Sequence, residues 1–139
     1  MNPGEVIELR LLPAMRECER HLERLRYAVS SGDSDVAVLD QMLFRFGKLQ
    51  DAIGQRVLPA ILLAGQEWQD SETFLDKLNR LEKLGAIPSA LDWIKLRDLR
   101  NNAMHEYPDE PEVNAANLNA VFASIGKLET HLNCAREYA

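Results

Sequence analysis

Long apolar runs, clusters of metal ligands and strand-like patterns are all missing from this sequence of 139 residues. No run approaches the roughly 18 consecutive apolar residues that a transmembrane helix needs, so we expect no membrane span. The two cysteines, Cys18 and Cys134, lie far apart and outside any metal-ligand spacing, so we expect neither a metal nor another cofactor. No segment alternates apolar and polar residues, and the sequence therefore predicts no strands.

The chain also has too little positive charge for general binding to nucleic acid. The chain has 16 lysines and arginines and 22 acidic residues, which gives a net charge of −6. This balance argues against nonspecific binding of nucleic acid over the whole surface. Residues 76–100 are a local exception, with a small excess of basic over acidic residues. Glu5, Glu8 and Arg10 stand where a secretory signal would be apolar, so we expect no targeting segment and a cytoplasmic location.

Helical periodicity, by contrast, runs through almost the whole chain. Apolar residues recur every three or four positions, which is typical of amphipathic helices. These stripes cover residues 11–29, 39–60, 74–84, 91–99 and 118–135. Breaks fall at residues 30–33, at Gly85 and between Pro108 and Pro111, and Asp70 or Ser71 is the expected N-cap of the third helix. The sequence therefore predicts one all-α domain over residues 1–139, an antiparallel bundle of about five helices.

The segment VLPAILLA, residues 57–64, is apolar on every side of a helix. Such a segment must be covered on more than one face, either in the core of the chain or at a subunit interface. Pro59 within it removes a helix hydrogen bond, so we expect the helix to kink or end there.

Two glycines flank an acidic residue on the second predicted helix. Gly47, Asp51 and Gly54 are spaced by four and three residues and share one face. Each glycine inside a helix costs about 1 kcal/mol relative to alanine. This pattern indicates that another element approaches closely here. The alternative is that Asp51 is simply solvated and the glycines are incidental.

The stretch LRNNAMHEYP, residues 99–108, carries polar side chains that a bundle does not need. Arg100 offers a fork of donors that matches phosphate oxygens, and His105 can take and return a proton near neutral pH. Together they suit phosphodiester cleavage without a metal. The Cα atoms of Arg100 and His105 lie about 140° apart around the helix axis, so the two side chains do not leave from the same face. The plainer alternative is an imidazole bonded to a carbonyl and an Arg100 paired with an acid such as Asp98.

This motif resembles the signature of the HEPN superfamily, small all-α domains with an R-x4-6-H motif and usually a polar residue after the arginine. That polar residue is Asn101 here. The form Arg100-x4-His105-x-Tyr107 is similar to the HepT-like toxins, which are encoded beside a minimal nucleotidyltransferase antitoxin. The helix order resembles that of the family over nearly the whole chain.

The resemblance implies a metal-independent ribonuclease that works as a homodimer, with both motifs facing one cleft that binds RNA. Arg100 and His105 would be catalytic and Asn101 would orient them. Tyr107 matches the tyrosine to which the partner nucleotidyltransferase attaches AMP, which silences the toxin. Asp51 is a candidate for the acidic residue that many HEPN nucleases carry on their second helix. The alternatives are a HEPN domain that binds substrate or nucleotide for its nucleotidyltransferase partner without cutting RNA, and a purely structural bundle.

Overall fold

The computed structural model describes residues 2–30, 36–105 and 107–139, and every regular element within these ranges is helical. In chain order the elements are α1 (Pro3–Val6), a first π segment (Ile7–Leu11), α2 (Leu12–Ser30), α3 (Val36–Ala52), a second π segment (Ile53–Val57), α4 (Leu58–Ala64), α5 (Phe74–Leu84), α6 (Ala90–Met104) and α7 (Pro111–Tyr138). The π segments join their neighbours, so these elements form five long rods. The prediction of an all-α fold with about five helices is confirmed. Of the predicted break at residues 30–33, only Ser30 is described.

The rods pack around one hydrophobic core to which all five contribute. α3 is central because it contacts α2, α6 and α7, while α5 packs mainly against α6. The predicted apolar stripes supply most of this core. Their members without exposed surface include Cys18, Leu25, Phe46, Leu49, Ile53, Leu78, Leu128 and Leu132.

The all-apolar segment at residues 57–64 lies in the core of this chain. Val57, Leu58, Ala60, Ile61 and Leu62 are each at most 3% exposed. α4 packs against α1 and the first π segment, which cover it. Of the two alternatives, the structure therefore supports the core. The segment gives no support for a dimer, and the homodimer stays a proposal.

The second rod does not end at Pro59, because it continues through the proline as α4, and a change of helix type lies before it. The π segment Ile53–Val57 precedes the proline, and the N–H of Leu58 donates to the carbonyl of Ile53, five residues back. Proline has no N–H, and its ring clashes with the carbonyl four residues earlier in an α-helix. In a π turn the backbone hydrogen bond spans five residues, which leaves more space between the proline ring and that carbonyl. Pro13 follows the first π segment at the same spacing, so the same cause accounts for both segments.

The N-cap expected at Asp70 or Ser71 is wrong. The hydroxyl of Thr73 accepts from the N–H of Asp76 at 3.1 Å, and the Asp76 carboxylate accepts from the N–H of Thr73 at 3.2 Å. This reciprocal capping box starts α5 two residues later than expected. Asp70 instead accepts a hydrogen bond from the indole of a neighbouring tryptophan. The predicted end at Gly85 is confirmed by its left-handed φ of 87°.

One of the apolar residues predicted to form the buried stripe of the fourth helix points away from the core. Leu91 is 61% exposed, whereas Ile94 and Leu99 are partly buried and pack against the core. The buried residues of α6 are Ala90, Trp93 and Leu96. The burial of Trp93 sets the orientation of α6, because burying its large ring removes the most apolar surface from water.

Candidate active site

A bidentate ion pair joins α3 and α6 at the predicted motif. Nη1 of Arg100 donates to Oδ1 of Asp51 at 3.0 Å, and Nη2 donates to Oδ2 at 3.3 Å. The planar guanidinium matches a carboxylate in this arrangement. The two side chains are 26% and 38% exposed, so water screens the pair only in part. The partner of Arg100 is therefore Asp51 on the central helix and not Asp98.

The two glycines around Asp51 make room for α6. A Cβ added to Gly47 would lie 3.1 Å from Nε and Nη2 of Arg100. A Cβ added to Gly54 would lie 2.9 Å from Cζ2 of Trp93, closer than real Cβ contacts. The predicted close approach is confirmed, and the glycines are not incidental. They allow the arginine to reach Asp51 and the indole to pack on the second π segment.

A pocket of about 300 Å³ lies beside the ion pair, between the second rod, α5 and α6. Its lining combines amides, charges and aromatic rings. The lining residues are Gln50, Asp51, Gly54, Gln55, Phe74, Trp93, Arg97, Arg100 and Asn101. The volume is at the lower end of the range for small-molecule sites. The pocket is therefore large enough for one small ligand group.

Two lining side chains have buried polar atoms without a partner. Gln50 is 4% exposed, and neither Oε1 nor Nε2 of its amide has a hydrogen bond. Nε of Arg100 is also buried and unpaired. Leaving a buried polar group unpaired costs about 1–3 kcal/mol. The pocket therefore has unused hydrogen-bonding capacity at its inner wall.

His105 lies outside this pocket. It is the first residue after α6, with φ −83° and ψ 124°, and its N–H donates to the carbonyl of Asn102 at 3.3 Å. Its side chain is exposed, and no described residue forms a hydrogen bond with the imidazole. The predicted alternative of an imidazole bonded to a carbonyl is thus not found among the described residues. A single copy of the chain does not place His105 and Arg100 in one pocket.

Asn101 and Tyr107 have different surroundings. Asn101 is exposed and lines the pocket next to Arg100, whereas Tyr107 is 36% exposed in the turn that follows α6. The N–H of Tyr107 donates to Oδ1 of Asn114 at 3.0 Å, and Nδ2 of Asn114 donates to the Tyr107 carbonyl at 3.1 Å. These two bonds fasten the turn to the start of α7. The backbone at Tyr107 is held while its ring is accessible.

Comparisons with known proteins identify no relative of this chain. No protein-family model, curated protein or solved structure matches this chain. The resemblance to HEPN toxins therefore rests on the motif at residues 99–108 and on the helix order, and membership stays a proposal.

Five residues of the pocket lining were not predicted as site residues from the sequence: Gln50, Gln55, Phe74, Trp93 and Arg97. Gln50 and Phe74 were overlooked because each lies beside or within an apolar stripe. Arg97 was counted only as part of the basic excess. Gln50 did carry a signal, since it is spaced by three and four residues from Gly47 and Gly54 and so shares their face.

Part of the basic excess at residues 76–100 is neutralised by ion pairs. Arg80 is bonded to both Glu72 and Glu67, and Arg100 is bonded to Asp51. The guanidinium of Arg97 lies 5.3 Å from the ring centre of Phe74, at the rim of the pocket. Arg80 and Arg100 are therefore held in one orientation by carboxylates, and Arg97 lies beside an aromatic ring.

Neither cysteine is a candidate nucleophile. Burial, with a smaller contribution from Glu17, raises the pKa of Cys18 to about 12. Partial burial also raises the pKa of Cys134. A thiol is nucleophilic only as its thiolate, which these shifts disfavour.

Two further observations concern residues 2–30, 36–105 and 107–139. Nowhere in these ranges do three or more histidine, cysteine or acidic side chains come together in a way that would bind a metal ion. None of the helices in these ranges combines the length and the apolar character that crossing a membrane requires.

Proposed function

We propose that this chain is a HEPN-type ribonuclease toxin that cuts RNA without a metal ion. The observation that carries the proposal is the Asp51–Arg100 ion pair, which fixes the motif arginine beside a pocket on the helix that ends at His105. A plain structural bundle needs neither a pocket with unpaired polar atoms nor an exposed histidine at the end of the helix that lines the pocket.

Arg100 is the group that would stabilise the phosphate during cleavage. Guanidinium has five N–H donors, and Asp51 accepts from two of them. The N–H of Nε is buried against Gly47, and the second N–H of each Nη atom stays available to phosphate oxygens. Asp51 holds the guanidinium in one orientation, so little reorganisation is needed when charge develops on the phosphate. Asn101 lines the same pocket next to Arg100 and would help to orient the substrate.

His105 is the group that would move protons. His105 is exposed directly after α6, and an imidazole can both accept and release a proton near neutral pH. In the reaction the ribose 2′-oxygen bonds to phosphorus and gives its proton to a neutral imidazole. The bond from phosphorus to the 5′-oxygen breaks, and that oxygen takes a proton from an imidazolium. Two copies of His105, one from each subunit, would divide these roles.

A homodimer would bring the two motifs together, since one copy separates His105 from the pocket. Large apolar side chains are exposed within the motif and on α7, and they support a contact surface there. These residues are Met104, Tyr107, Val113 and Phe122. Dimer formation at this surface would place the histidine of one chain opposite the arginine of the other.

Tyr107 is the proposed site at which a minimal nucleotidyltransferase antitoxin attaches AMP. Its exposed ring and its firmly held backbone suit a modification by another protein. The added phosphate would compete for Arg100 and block access to the site. Co-expression with such a partner should add the mass of one AMP to Tyr107, as mass spectrometry would detect. Tyr107→Phe should stay unmodified, and modification at another tyrosine would contradict the assignment.

RNA cleavage in the presence of EDTA tests the proposal. We expect wild-type protein to cut RNA, and we expect Arg100→Ala and His105→Ala to reduce the rate at least about 100-fold, the size of one lost acid–base or electrostatic group. His21→Ala is the matched control, because His21 bonds to Glu17 on α2 and is not part of the pocket. Circular dichroism should show that all variants are folded. Equal activity of His105→Ala and wild type would refute the catalytic role.

One observation favours a second candidate function, a nucleotide-binding partner of the transferase that does not cut RNA. Asp51 neutralises Arg100, and the pocket that they line excludes His105 and has the size of a small-molecule site. This candidate predicts nucleotide binding by wild-type and His105→Ala protein with no cleavage by either. The cleavage assay therefore separates the two candidates.

A further inference from the structure

We propose that the pocket beside Arg100 is a base-recognition subsite for adenine, in which Gln50 reads the edge of the base. The inference deepens the proposed function and rests on it for the source of the base, an adenosine of the RNA substrate. Binding of the base itself does not require cleavage, so the two proposals are tested separately.

Gln50 supplies the recognition. Its amide is 96% buried, lines the pocket and has no partner for either its acceptor Oε1 or its donor Nε2. A side-chain amide with both groups unused forms a pair of hydrogen bonds with adenine, accepting from N6 and donating to N7. The Asp51 carboxylate in the same lining offers further acceptors and therefore favours a base with an exocyclic amino group.

The pocket walls fit a flat aromatic ligand. Trp93 forms part of the inner lining, and Phe74 stands at the mouth with 42% of its surface exposed. Phe74 is the exposed ring of the two and is the one that can stack with a base. The guanidinium of Arg97, which lies 5.3 Å from the ring centre of Phe74, adds a cation at the same edge. The volume of about 300 Å³ suits one base and excludes a base pair.

The position of the pocket connects base recognition to cleavage. Arg100 and Asn101 lie in the same lining as Gln50. A base that occupies the inner wall therefore brings its own phosphate towards the guanidinium of Arg100. The subsite would select where the RNA is cut.

Calorimetric titration with AMP, GMP, CMP and UMP is the first test. We expect AMP to bind most tightly. Gln50→Met should weaken AMP binding about tenfold to hundredfold, because it keeps the length of the side chain and removes both hydrogen-bonding groups. Gln41→Met is the matched control, since Gln41 is exposed on the same helix and is absent from the pocket. Equal affinity for the four nucleotides, or unchanged AMP affinity in Gln50→Met, would overturn the proposal.

Thermal unfolding adds a readout that distinguishes recognition from packing. Because Gln50 is buried without a partner, Gln50→Met should raise the melting temperature while it lowers the affinity for AMP. A variant that loses both stability and affinity would instead indicate a structural role for Gln50. Phe74→Ala, at the exposed mouth, should weaken binding without disturbing the core. If it binds AMP as wild type does, the stacking argument fails.

A short RNA distinguishes the source of the base. Titration of His105→Ala with RNA tetranucleotides that contain or lack adenosine keeps the substrate intact during the measurement. Tighter binding of the adenosine-containing RNA than of free AMP supports an RNA subsite, and binding of free AMP alone overturns it in favour of a mononucleotide site. If wild-type protein cuts no RNA but binds AMP through Gln50, the ribonuclease proposal fails and the pocket assignment stands.

Discussion

Substituting alanine for three glycines tests the contact between α3 and α6 in detail. Gly126 on α7 has no atom within 4 Å of an added Cβ, so Gly126→Ala should gain the full helix propensity of about 1 kcal/mol. At Gly47 the added Cβ would meet the Arg100 guanidinium at 3.1 Å. That group is flexible, but moving it weakens the ion pair with Asp51 by up to about 1 kcal/mol. The two effects offset each other, and Gly47→Ala should leave stability nearly unchanged.

Gly54→Ala should be destabilising. The added Cβ would lie 2.9 Å from a carbon of Trp93, whose ring is 2% exposed and cannot move aside easily. Overpacking of this kind costs about 1–3 kcal/mol, which exceeds the gain of about 1 kcal/mol in propensity. We therefore expect a net loss of up to about 2 kcal/mol. The three substitutions are chemically identical, so only the surroundings of each glycine differ.

Urea unfolding followed by circular dichroism measures all three effects. The expected order of stability is Gly126→Ala above wild type, Gly47→Ala equal to it and Gly54→Ala below it. One kcal/mol corresponds to roughly 4 °C in melting temperature for a chain of this size, so thermal unfolding can check the order. If Gly54→Ala stabilised the protein as much as Gly126→Ala, the packing of Trp93 against the second π segment would be refuted.

Three other predictions follow from single contacts. A double-mutant cycle of Asp51→Ala and Arg100→Ala should give a coupling of about 1 kcal/mol that shrinks in 1 M salt; a coupling of zero would contradict the ion pair. Because burial raises the pKa of Cys18 to about 12, from an ordinary value of 9.0, a thiol reagent at neutral pH should leave it unlabelled until unfolding and label Cys134 first. Equal labelling of both native thiols would refute this. Asn114→Ala should speed amide hydrogen exchange in the turn after α6, since it removes two hydrogen bonds; unchanged exchange would show that they do not hold the turn.

Much of the fold could be predicted because helical periodicity depends on local spacing. The stripe on the second rod was found because its apolar residues recur every three or four positions and all point to one core. The close approach at Asp51 was also predicted correctly from the two glycines around it. Glycine destabilises the interior of a helix, so its presence there indicates that a larger side chain would not fit. The residues that fill that space, Trp93 and Arg100, come from α6 and depend on tertiary packing.

The failures have physical causes as well. α6 has apolar residues around most of its circumference, so periodicity alone did not show that Trp93 would be buried and Leu91 exposed. The start of α5 was misplaced because Asp70 and Thr73 are both good capping residues, and only the reciprocal bond to Asp76 decides between them. Gln50 was not predicted as a site residue because its amide lacks a hydrogen-bond partner only in the folded chain. The residues next to it in the sequence do not indicate this.

Analysis of the RNA ends produced in EDTA tests the proposed activity most directly. An RNA oligonucleotide should be cut by wild-type protein into fragments that end in a 2′,3′-cyclic phosphate, because the 2′-oxygen attacks the phosphorus. His105→Ala should produce none of these fragments under the same conditions. If folded wild-type protein cut no RNA, or if His105→Ala produced the same fragments at the same rate, the assignment of this site as a ribonuclease centre would be contradicted.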